Sequence, residues 1–284
     1  MASRLKEFLR LAVPEYIPPG VFGFLAGYAL SAAFIPIPLL KLLAGAVAVT
    51  AAIAGYNTYN AINDLEIDRV NKPSRPLPMG TLRVRDAYYA TVFFFALALA
   101  IGYLIGAAFL AVICVTVVIA ILYSAPRINL KGKVGIGVLS AAFLYTVLCP
   151  LAGLSIGRAW PGAYLLVAYL FIFGIGTAIL KDFEDVAGDS KFGAHTPVMR
   201  LGYSSTLYLI ALIFVISMLF MLMLAIRGFV SFGYVLASML ALPALIDVYM
   251  LYSNRTAKEG GKVFVMGMIT LMAIEAVFIM LAFL

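Results

Sequence analysis

The sequence predicts an all-helical protein that crosses a membrane many times, and three observations support this fold class. The chain is 64% hydrophobic and 12% charged, whereas a soluble domain is about a quarter charged. Apolar stretches of about 20 residues, the length that spans a bilayer as a helix, recur along the whole chain. Most of the acidic residues in the first two thirds of the chain fall into two short stretches that each follow an apolar segment. A membrane protein with a polar site at one membrane face fits all three.

Nine apolar segments are expected to be transmembrane helices. The first could be mistaken for a signal peptide, but it is long, lacks a clear cleavage site and is followed by further spans, so we expect it to be retained. The predicted spans are 17–35, 38–63, 86–103, 106–124, 134–156, 163–180, 204–225, 230–252 and 263–284.

Basic residues are distributed very unevenly between the two sides that nine spans define. The N-terminus and loops 2–3, 4–5, 6–7 and 8–9 hold 17 of the 20 Lys and Arg residues, and Lys41, Arg158 and Arg227 are the remaining three. Because cytoplasmic loops carry the excess of Lys and Arg, the N-terminus is expected in the cytoplasm and the C-terminus on the opposite side. The net charge of +7 therefore reflects topology and lipid headgroups and is no sign of nucleic-acid binding.

The first acidic stretch, residues 60–68, follows the second predicted span. Asn60, Asp64 and Asp68 are spaced four apart, which on a helix places three oxygen-bearing side chains along one face. Such groups at a membrane edge are costly unless something cationic meets them. A metal bridging to a phosphorylated ligand would do so.

The second acidic stretch, residues 182–189, follows the sixth predicted span on the same expected side. Asp182, Asp185 and Asp189 are spaced three and four apart, again on one helical face, and Gly188 and Gly193 are expected to end that helix. The recurrence four spans apart indicates a duplicated four-helix unit. We therefore expect two four-helix-like halves around a central cavity, capped by cytoplasmic loops 2–3 and 6–7.

The ligands offered by the two stretches are all hard oxygens, which favours Mg²⁺, or Mn²⁺ in its place, over Zn²⁺ or copper. Two acidic faces across a cavity could clamp a diphosphate through bridging metal ions, with nearby Arg and Lys in direct contact. His195 is the only histidine and is expected to be a solvated loop residue. Cys114 and Cys149 lie in apolar segments and are expected to be small hydrophobic side chains rather than a disulfide.

Residues 60–68 and the following 72–80 resemble the first acidic signature and the Arg-Pro-Leu-Pro-x-Gly tail of the UbiA superfamily of intramembrane prenyltransferases. Residues 182–189 resemble that family's second signature, and Tyr123 with Arg127 resembles its Tyr-x-x-x-Lys motif. Three positions differ from the family pattern. Ala61 stands where the family usually has Asp, Arg127 replaces the lysine, and Val13-Pro14 stands where an Arg-Pro pair is frequent, with Arg10 a turn earlier as its expected substitute.

The resemblance implies a single transmembrane prenyltransferase domain over residues 1–284 that moves a polyprenyl group from an allylic diphosphate to a lipophilic acceptor, with Mg²⁺ activating the leaving group. The implied residues are, for catalysis, Asp64, Asp68, Asp182, Asp185 and Tyr123; for substrate binding, Asn60, Arg75, Arg127, Lys131, Lys181, Lys191 and Arg10; and for metal binding, Asn60, Asp64, Asp68, Asp182, Asp185 and Asp189. Aromatic faces at Tyr56, Tyr59 and Tyr123 are expected to stabilise a developing cation.

The acceptor is the most open part of the prediction. The residue patterns from Glu66 to Pro76 and from Glu184 to Asp189 resemble those of the archaeal-lipid and chlorophyll-synthase branches of the family. This resemblance favours geranylgeranyl diphosphate as donor and geranylgeranylglyceryl phosphate as acceptor. Prenylation of an aromatic acceptor such as 4-hydroxybenzoate is the alternative.

Two other classes of protein fit the sequence less well. A cation-coupled transporter would place carboxylates near the bilayer midplane, whereas here they lie at one rim. A CDP-alcohol phosphotransferase would also use Asp clusters and Mg²⁺, but its opening Asp-Gly-x-x-Ala-Arg pattern does not occur in this sequence.

Overall fold

The computed structural model describes residues 2–32, 38–191 and 195–284, with only the backbone described at 2, 3, 32 and 189. These ranges contain α-helices, short 3₁₀ turns and one π-helical turn, and they contain no β-strand. The helices are α1 Ala2–Leu11, α2 Ile17–Ala32, α3 Leu39–Asn63, α4 Leu65–Asn71, α5 Val84–Ile105, α6 Ala107–Ser124, α7 Ile136–Phe143, α8 Cys149–Leu154, α9 Pro161–Leu180, α10 Asp182–Lys191, α11 Pro197–Leu201, α12 Tyr203–Ile226, α13 Phe232–Ser238, α14 Ala241–Ser253 and α15 Ala257–Leu281.

Eight helical segments in these ranges are long and apolar enough to cross a membrane, and they coincide with the second to ninth predicted spans. The sixth predicted span, 163–180, is longer in the structure, because α9 continues almost directly into α10. The first predicted span contains the 16-residue helix α2, and its last residues, 33–35, lie outside the described ranges. The all-helical, polytopic class is thus confirmed, with nine as an approximate count of spans.

Glycines permit one tight turn and one close helix–helix contact in the bundle. At Gly106 the backbone takes a φ of 146°, a value that favours glycine, and this one residue turns the chain from α5 into α6. A Cβ on Gly27 would overlap the backbone carbonyl of Pro150, and one on Gly153 would overlap that of Phe24. Helices α2 and α8 therefore pack backbone against backbone, as small residues permit within a membrane.

The apolar interior divides into two large clusters. One cluster is centred on the N-terminal half and includes Phe24, Phe109 and Ile113. The other spans the C-terminal half and includes Phe173, Phe214 and Phe278. This division matches the expected two halves, and helix α2 contributes side chains to both clusters.

Polar side chains of the N-terminal helix α1 contact loop 2–3 and the first turn of α5. Arg4 pairs with Asp86 at 3.2 Å, the Thr81 hydroxyl donates to Glu7 at 2.7 Å, and Arg10 donates to the carbonyl oxygen of Ser74 at 2.5 Å. The hydrogen bond from Thr81, followed by the one from Arg10, lowers the pKa of Glu7 below its ordinary value. Helix α1 thus holds the segment that carries the basic residues after the first acidic stretch.

Candidate active site

A cavity of about 330 Å³ lies where the two halves meet, and both acidic stretches face it. Its polar wall combines the junction of α3 with α4, the loop 129–135 and the junction of α9 with α10, while α7 and α15 supply apolar side chains. The structure brings together nine of the sequence-predicted site residues, namely Asn60, Asp64, Asp68, Arg75, Tyr123, Lys131, Lys181, Asp182 and Asp185.

The first acidic stretch is a broken helix and not the single continuous helix expected from its spacing. Helix α3 ends at Asn63, Asp64 takes a φ of −95° and a ψ of 7°, and α4 begins at Leu65. The backbone N–H of Asp68 still donates to the Asp64 carbonyl at 2.7 Å, so the chain keeps its helical direction across the break. All three predicted oxygen ligands therefore line the cavity, as the four-residue spacing predicts.

The ligands of the first stretch are held by polar neighbours. The Ser124 hydroxyl at the end of α6 donates to Asn60 at 2.9 Å. Arg75 donates to the buried Asp68 carboxylate at 2.7 Å. Burial lowers the pKa of Arg75, but the charge of Asp68 and its hydrogen bond outweigh burial and raise that pKa above its ordinary value. Arg75 therefore stays cationic beside the carboxylates.

The second acidic stretch places Asp185 between two lysines. Its carboxylate lies 2.7 Å from the ammonium of Lys72 and 2.6 Å from that of Lys181. Burial, and next the neighbouring charge of Lys181, lower the pKa of Lys72 below its ordinary value, and Asp185 opposes that change. An anion bound between the two lysines would relieve their mutual repulsion.

A fourth cation, Lys131, reaches the first stretch from loop 4–5. Asn129 adopts the left-handed conformation with a φ of 42°, a short 3₁₀ turn covers Leu130–Gly132, and Lys131 forms an ion pair with Asp64. Carboxylates and cations thus alternate around the mouth of the cavity. Such an arrangement can bind metal ions and phosphate oxygens at the same place.

The polar donor set fits a hard divalent cation. The side chains are carboxylates and one amide, and Oδ1 of Asp64 and of Asp185 each contact a lysine ammonium without a regular hydrogen bond. Within the described part of the chain, no three Asp, Glu, His or Cys side chains are grouped closely enough to hold a metal by themselves. Mg²⁺ is commonly held by one or two carboxylates together with substrate phosphates, so these residues fit a metal bound jointly with a diphosphate.

Below the polar mouth, three tyrosines form a row along the cavity. The ring of Tyr56 lies 5.4 Å from that of Tyr123 and 6.3 Å from that of Tyr145, both in edge-to-face geometry. Tyr145 belongs to the π-helical turn Leu144–Leu148 that interrupts the fifth predicted span. Tyr59, the other candidate for stabilising a cation, is not part of the cavity wall.

Three predicted substrate-binding residues lie away from the cavity wall. Arg10 binds Glu7 and the carbonyl of Ser74, and Lys191 is exposed at the end of α10. Arg127 is exposed, because the chain leaves α6 outward and returns to the cavity only after the turn at Asn129. The side chain of Asp189 lies outside the described part of the structure, so its role as a metal ligand stays a prediction.

Two residues that follow the first acidic stretch and contact the second were absent from the predicted site. Lys72 and Asn71 line the cavity, and each contacts the second stretch from the end of the first. Lys72 continues the spacing of Asn60, Asp64 and Asp68 by another four residues, so the pattern contained the signal for it. His195, expected to be a solvated loop residue, is exposed and also lines the cavity.

Fold and cavity together define a polytopic helical membrane protein with a mouth of carboxylates and cations, suited to metal ions and phosphate, above an apolar, aromatic-lined chamber. The profile of the UbiA prenyltransferase family matches residues 20–274. The chain belongs to the UbiA prenyltransferase family.

Relatives and solved structures agree with this assignment. The digeranylgeranylglyceryl phosphate synthase of Thermococcus gammatolerans is 33% identical over 211 residues, which cover 74% of each chain. A solved structure from work on digeranylgeranylglyceryl phosphate synthase in membranes matches 99% of both chains at a TM-score of 0.73 and 25% identity. The fold is also that of a UbiA homologue from Archaeoglobus fulgidus bound to GPP and Mg²⁺, with a TM-score of 0.75, 20% identity, and 95% and 99% of the two chains covered.

Proposed function

We propose that this protein transfers a polyprenyl group from an allylic prenyl diphosphate to the hydroxyl of a lipophilic acceptor, with geranylgeranylglyceryl phosphate as the acceptor. The observation that carries the proposal is the meeting of both acidic stretches and four cations around one cavity whose interior is aromatic and apolar. The four cations are Lys72, Arg75, Lys131 and Lys181. The synthase names of the relatives support the lipid acceptor.

The diphosphate head of the donor binds between the two acidic stretches. Lys72 and Lys181 contact phosphate oxygens from one side and Lys131 and Arg75 from the other, so that the leaving group is held in a fixed position. Asn60, Asp64, Asp68, Asp182 and Asp185 would hold Mg²⁺, or Mn²⁺ in its place, and the metal would neutralise charge on the departing diphosphate.

The reaction breaks the bond between the allylic C1 of the donor and its diphosphate oxygen, and the diphosphate leaves with the electron pair. The acceptor hydroxyl oxygen forms a new bond to C1, and its proton passes to the departing diphosphate. The rings of Tyr123 and Tyr56 line the cavity near the polar mouth, and a ring face turned toward the allyl group would stabilise the positive charge that develops there. The apolar lower cavity takes the isoprenoid tail and excludes water from the cation.

The site is placed at the cytoplasmic rim of the membrane, with the N-terminus on that side, on the basis of the Lys and Arg distribution. The chain acts as one catalytic domain over residues 1–284, which is supported by a cavity lined from both halves.

The test is turnover by the purified protein with Mg²⁺ and geranylgeranyl diphosphate, offered a panel of acceptors, with product masses measured. Geranylgeranylglyceryl phosphate is expected to yield the ether product, and 4-hydroxybenzoate is expected to yield none. Product from 4-hydroxybenzoate alone would assign the aromatic acceptor instead. Asp64→Ala and Asp182→Ala are each expected to abolish turnover in folded protein, and near-wild-type turnover in either would contradict the two-stretch site.

A further inference from the structure

One carboxyl group lies deep in the membrane part of the protein and is not used by the chemistry above. Glu275 on α15 is fully buried, and no hydrogen-bond donor among the described residues reaches either of its carboxyl oxygens. A buried polar group without a partner is costly, and a carboxyl group within a transmembrane helix commonly has a functional role.

Glu275 lies one helical turn beyond the cavity. Phe264, Met268 and Leu271 of α15 line the cavity, and Glu275 continues the same face at the next four-residue step. The carboxyl group is therefore placed directly behind the cavity floor, at the far end from the diphosphate-binding residues.

The surroundings of Glu275 offer an acceptor oxygen and no cation. A Cβ built on Gly23 would lie 3.0 Å from Oε1 of Glu275, 3.2 Å from Cδ of Pro150 and 3.3 Å from the carbonyl oxygen of Tyr145, so these atoms cluster around one point. Glycine at position 23 leaves the space that the carboxyl group occupies. Among the described residues, no ion pair to Glu275 occurs.

In a π-helical hydrogen-bond pattern, the Tyr145 carbonyl has no N–H donor within its own helix. Residues 144–148 form a π-helical turn, in which a carbonyl accepts from the N–H five residues further on. For Tyr145 that residue is Pro150, which has no N–H. A carboxylate and a carbonyl are both acceptors, so the two groups can bond only when the carboxyl carries a proton.

We propose that Glu275 is a protonated carboxylic acid that donates a hydrogen bond to the Tyr145 carbonyl and so positions the Tyr145 ring in the cavity. Glu275 is then a positioning residue for prenyl transfer, because Tyr145 packs edge to face on Tyr56 in the row of rings that faces the allylic group. This role rests on the proposed prenyl transfer, while the protonated state of Glu275 stands apart from it.

The first experiment is infrared spectroscopy of the full-length protein in nanodiscs, as a difference spectrum of wild type minus Glu275→Gln. The carbonyl band of a protonated carboxylic acid is expected in wild type and is lost in the variant. A carboxylate band lost in its place would overturn the proposal. This measurement needs no turnover, so its outcome is separate from that of the proposed activity.

The second experiment measures kcat and KM of Glu275→Gln and Glu275→Met. Gln keeps an N–H donor and is expected to remain within twofold of wild type, while Met has no donor and is expected to lower kcat about tenfold, the scale of one misplaced aromatic ring, at unchanged KM for the donor. Equal kcat in the two variants would overturn the positioning role. Asp247→Asn is the matched control, because Asp247 is a buried carboxyl on α14 outside the cavity wall.

Discussion

Asn71 and Gly188 join the two acidic stretches directly. The backbone N–H of Gly188 donates to Oδ1 of Asn71 at 2.7 Å, and Nδ2 of Asn71 donates to the backbone carbonyl of Asp185 at 3.0 Å. One side chain thus satisfies a donor and an acceptor of α10 from the last residue of α4. We expect the relative position of the two halves of the site to depend on this contact.

Replacing Asn71 with Ala is expected to lower kcat/KM for the donor by roughly ten- to a hundredfold, because small displacements of positioning groups have effects of that size. Lys72 and the Asp185 carboxylate would remain but would no longer be held in register. The measurement is steady-state kinetics with a varied concentration of prenyl diphosphate.

Asn63→Ala is the control for this prediction, because Asn63 donates only to the carbonyl of Tyr59 one turn earlier in its own helix among the described contacts. Gly188→Ala is expected to reproduce the Asn71→Ala defect, since a Cβ at 188 would lie 2.5 Å from Nδ2 of Asn71. Wild-type kinetics in both Asn71→Ala and Gly188→Ala would show that the two stretches are positioned by other contacts.

Lys181 and Lys191 lie near opposite ends of the second acidic stretch. Comparing them distinguishes a cation that binds substrate from one that only sets the membrane topology. Lys181 contacts Asp185 at 2.6 Å and lines the cavity, whereas Lys191 is exposed at the end of α10. Lys181→Met is expected to lower kcat/KM about a hundredfold, as the loss of one preorganised charge contact does. Lys191→Met is expected to stay within twofold, and similar defects in both variants would place the diphosphate further out.

The fold class and most of the site could be predicted because they depend on local periodicity. Spans follow from apolar length, and the cavity-facing positions of Asn60, Asp64 and Asp68 follow from a spacing of four, which survives even a break at Asp64. Gly188 and Gly193 were both expected to end the helix; Gly193 lies outside the described residues, and the prediction for Gly188 was wrong. Gly188 lies inside α10, and its missing side chain makes room for Asn71 from 117 residues away. Contacts of that sequence separation leave no periodic signal.

The loop cations show the same limit. Arg127 and Lys131 were both predicted to bind substrate, but of these two only Lys131 lines the cavity, because the left-handed turn at Asn129 brings it to Asp64. The pairing of Lys131 with Asp64 depends on the left-handed backbone conformation of Asn129. An asparagine in the sequence does not predict that conformation, since most asparagines adopt helical or extended φ and ψ values.

The contact between α1 and loop 2–3 is expected to weaken in acid. Thr81 and Arg10 lower the pKa of Glu7, so the folded state favours the ionised carboxylate. The stabilisation is complete above the pKa that Glu7 has in the unfolded chain and is lost as pH falls through its lower folded pKa. The protection factors of the amides in residues 4–10 and 74–81, which are exchange rates corrected for the intrinsic effect of pH, are expected to fall over this window. Glu7→Gln should show low protection factors at neutral pH with no further acid effect, and an unchanged acid profile in that variant would assign the transition to other groups.

Cysteine labelling can test the placement of both acidic stretches on the cytoplasmic side. In a background with Cys114 and Cys149 replaced by Ser, Cys introduced at the exposed positions Ser74 and Ser190 is expected to react with a membrane-impermeant maleimide only from the cytoplasmic face. Arg227→Cys, in the short connection after α12, is the matched control and should react only from the opposite face. The expectation follows because an even number of spans separates the first two positions, whereas one further span separates Ser190 from Arg227. Reaction of Ser74→Cys and Ser190→Cys from different faces would contradict a site shared by the two stretches, and reaction of both only from the outer face would invert the orientation while leaving the cavity intact.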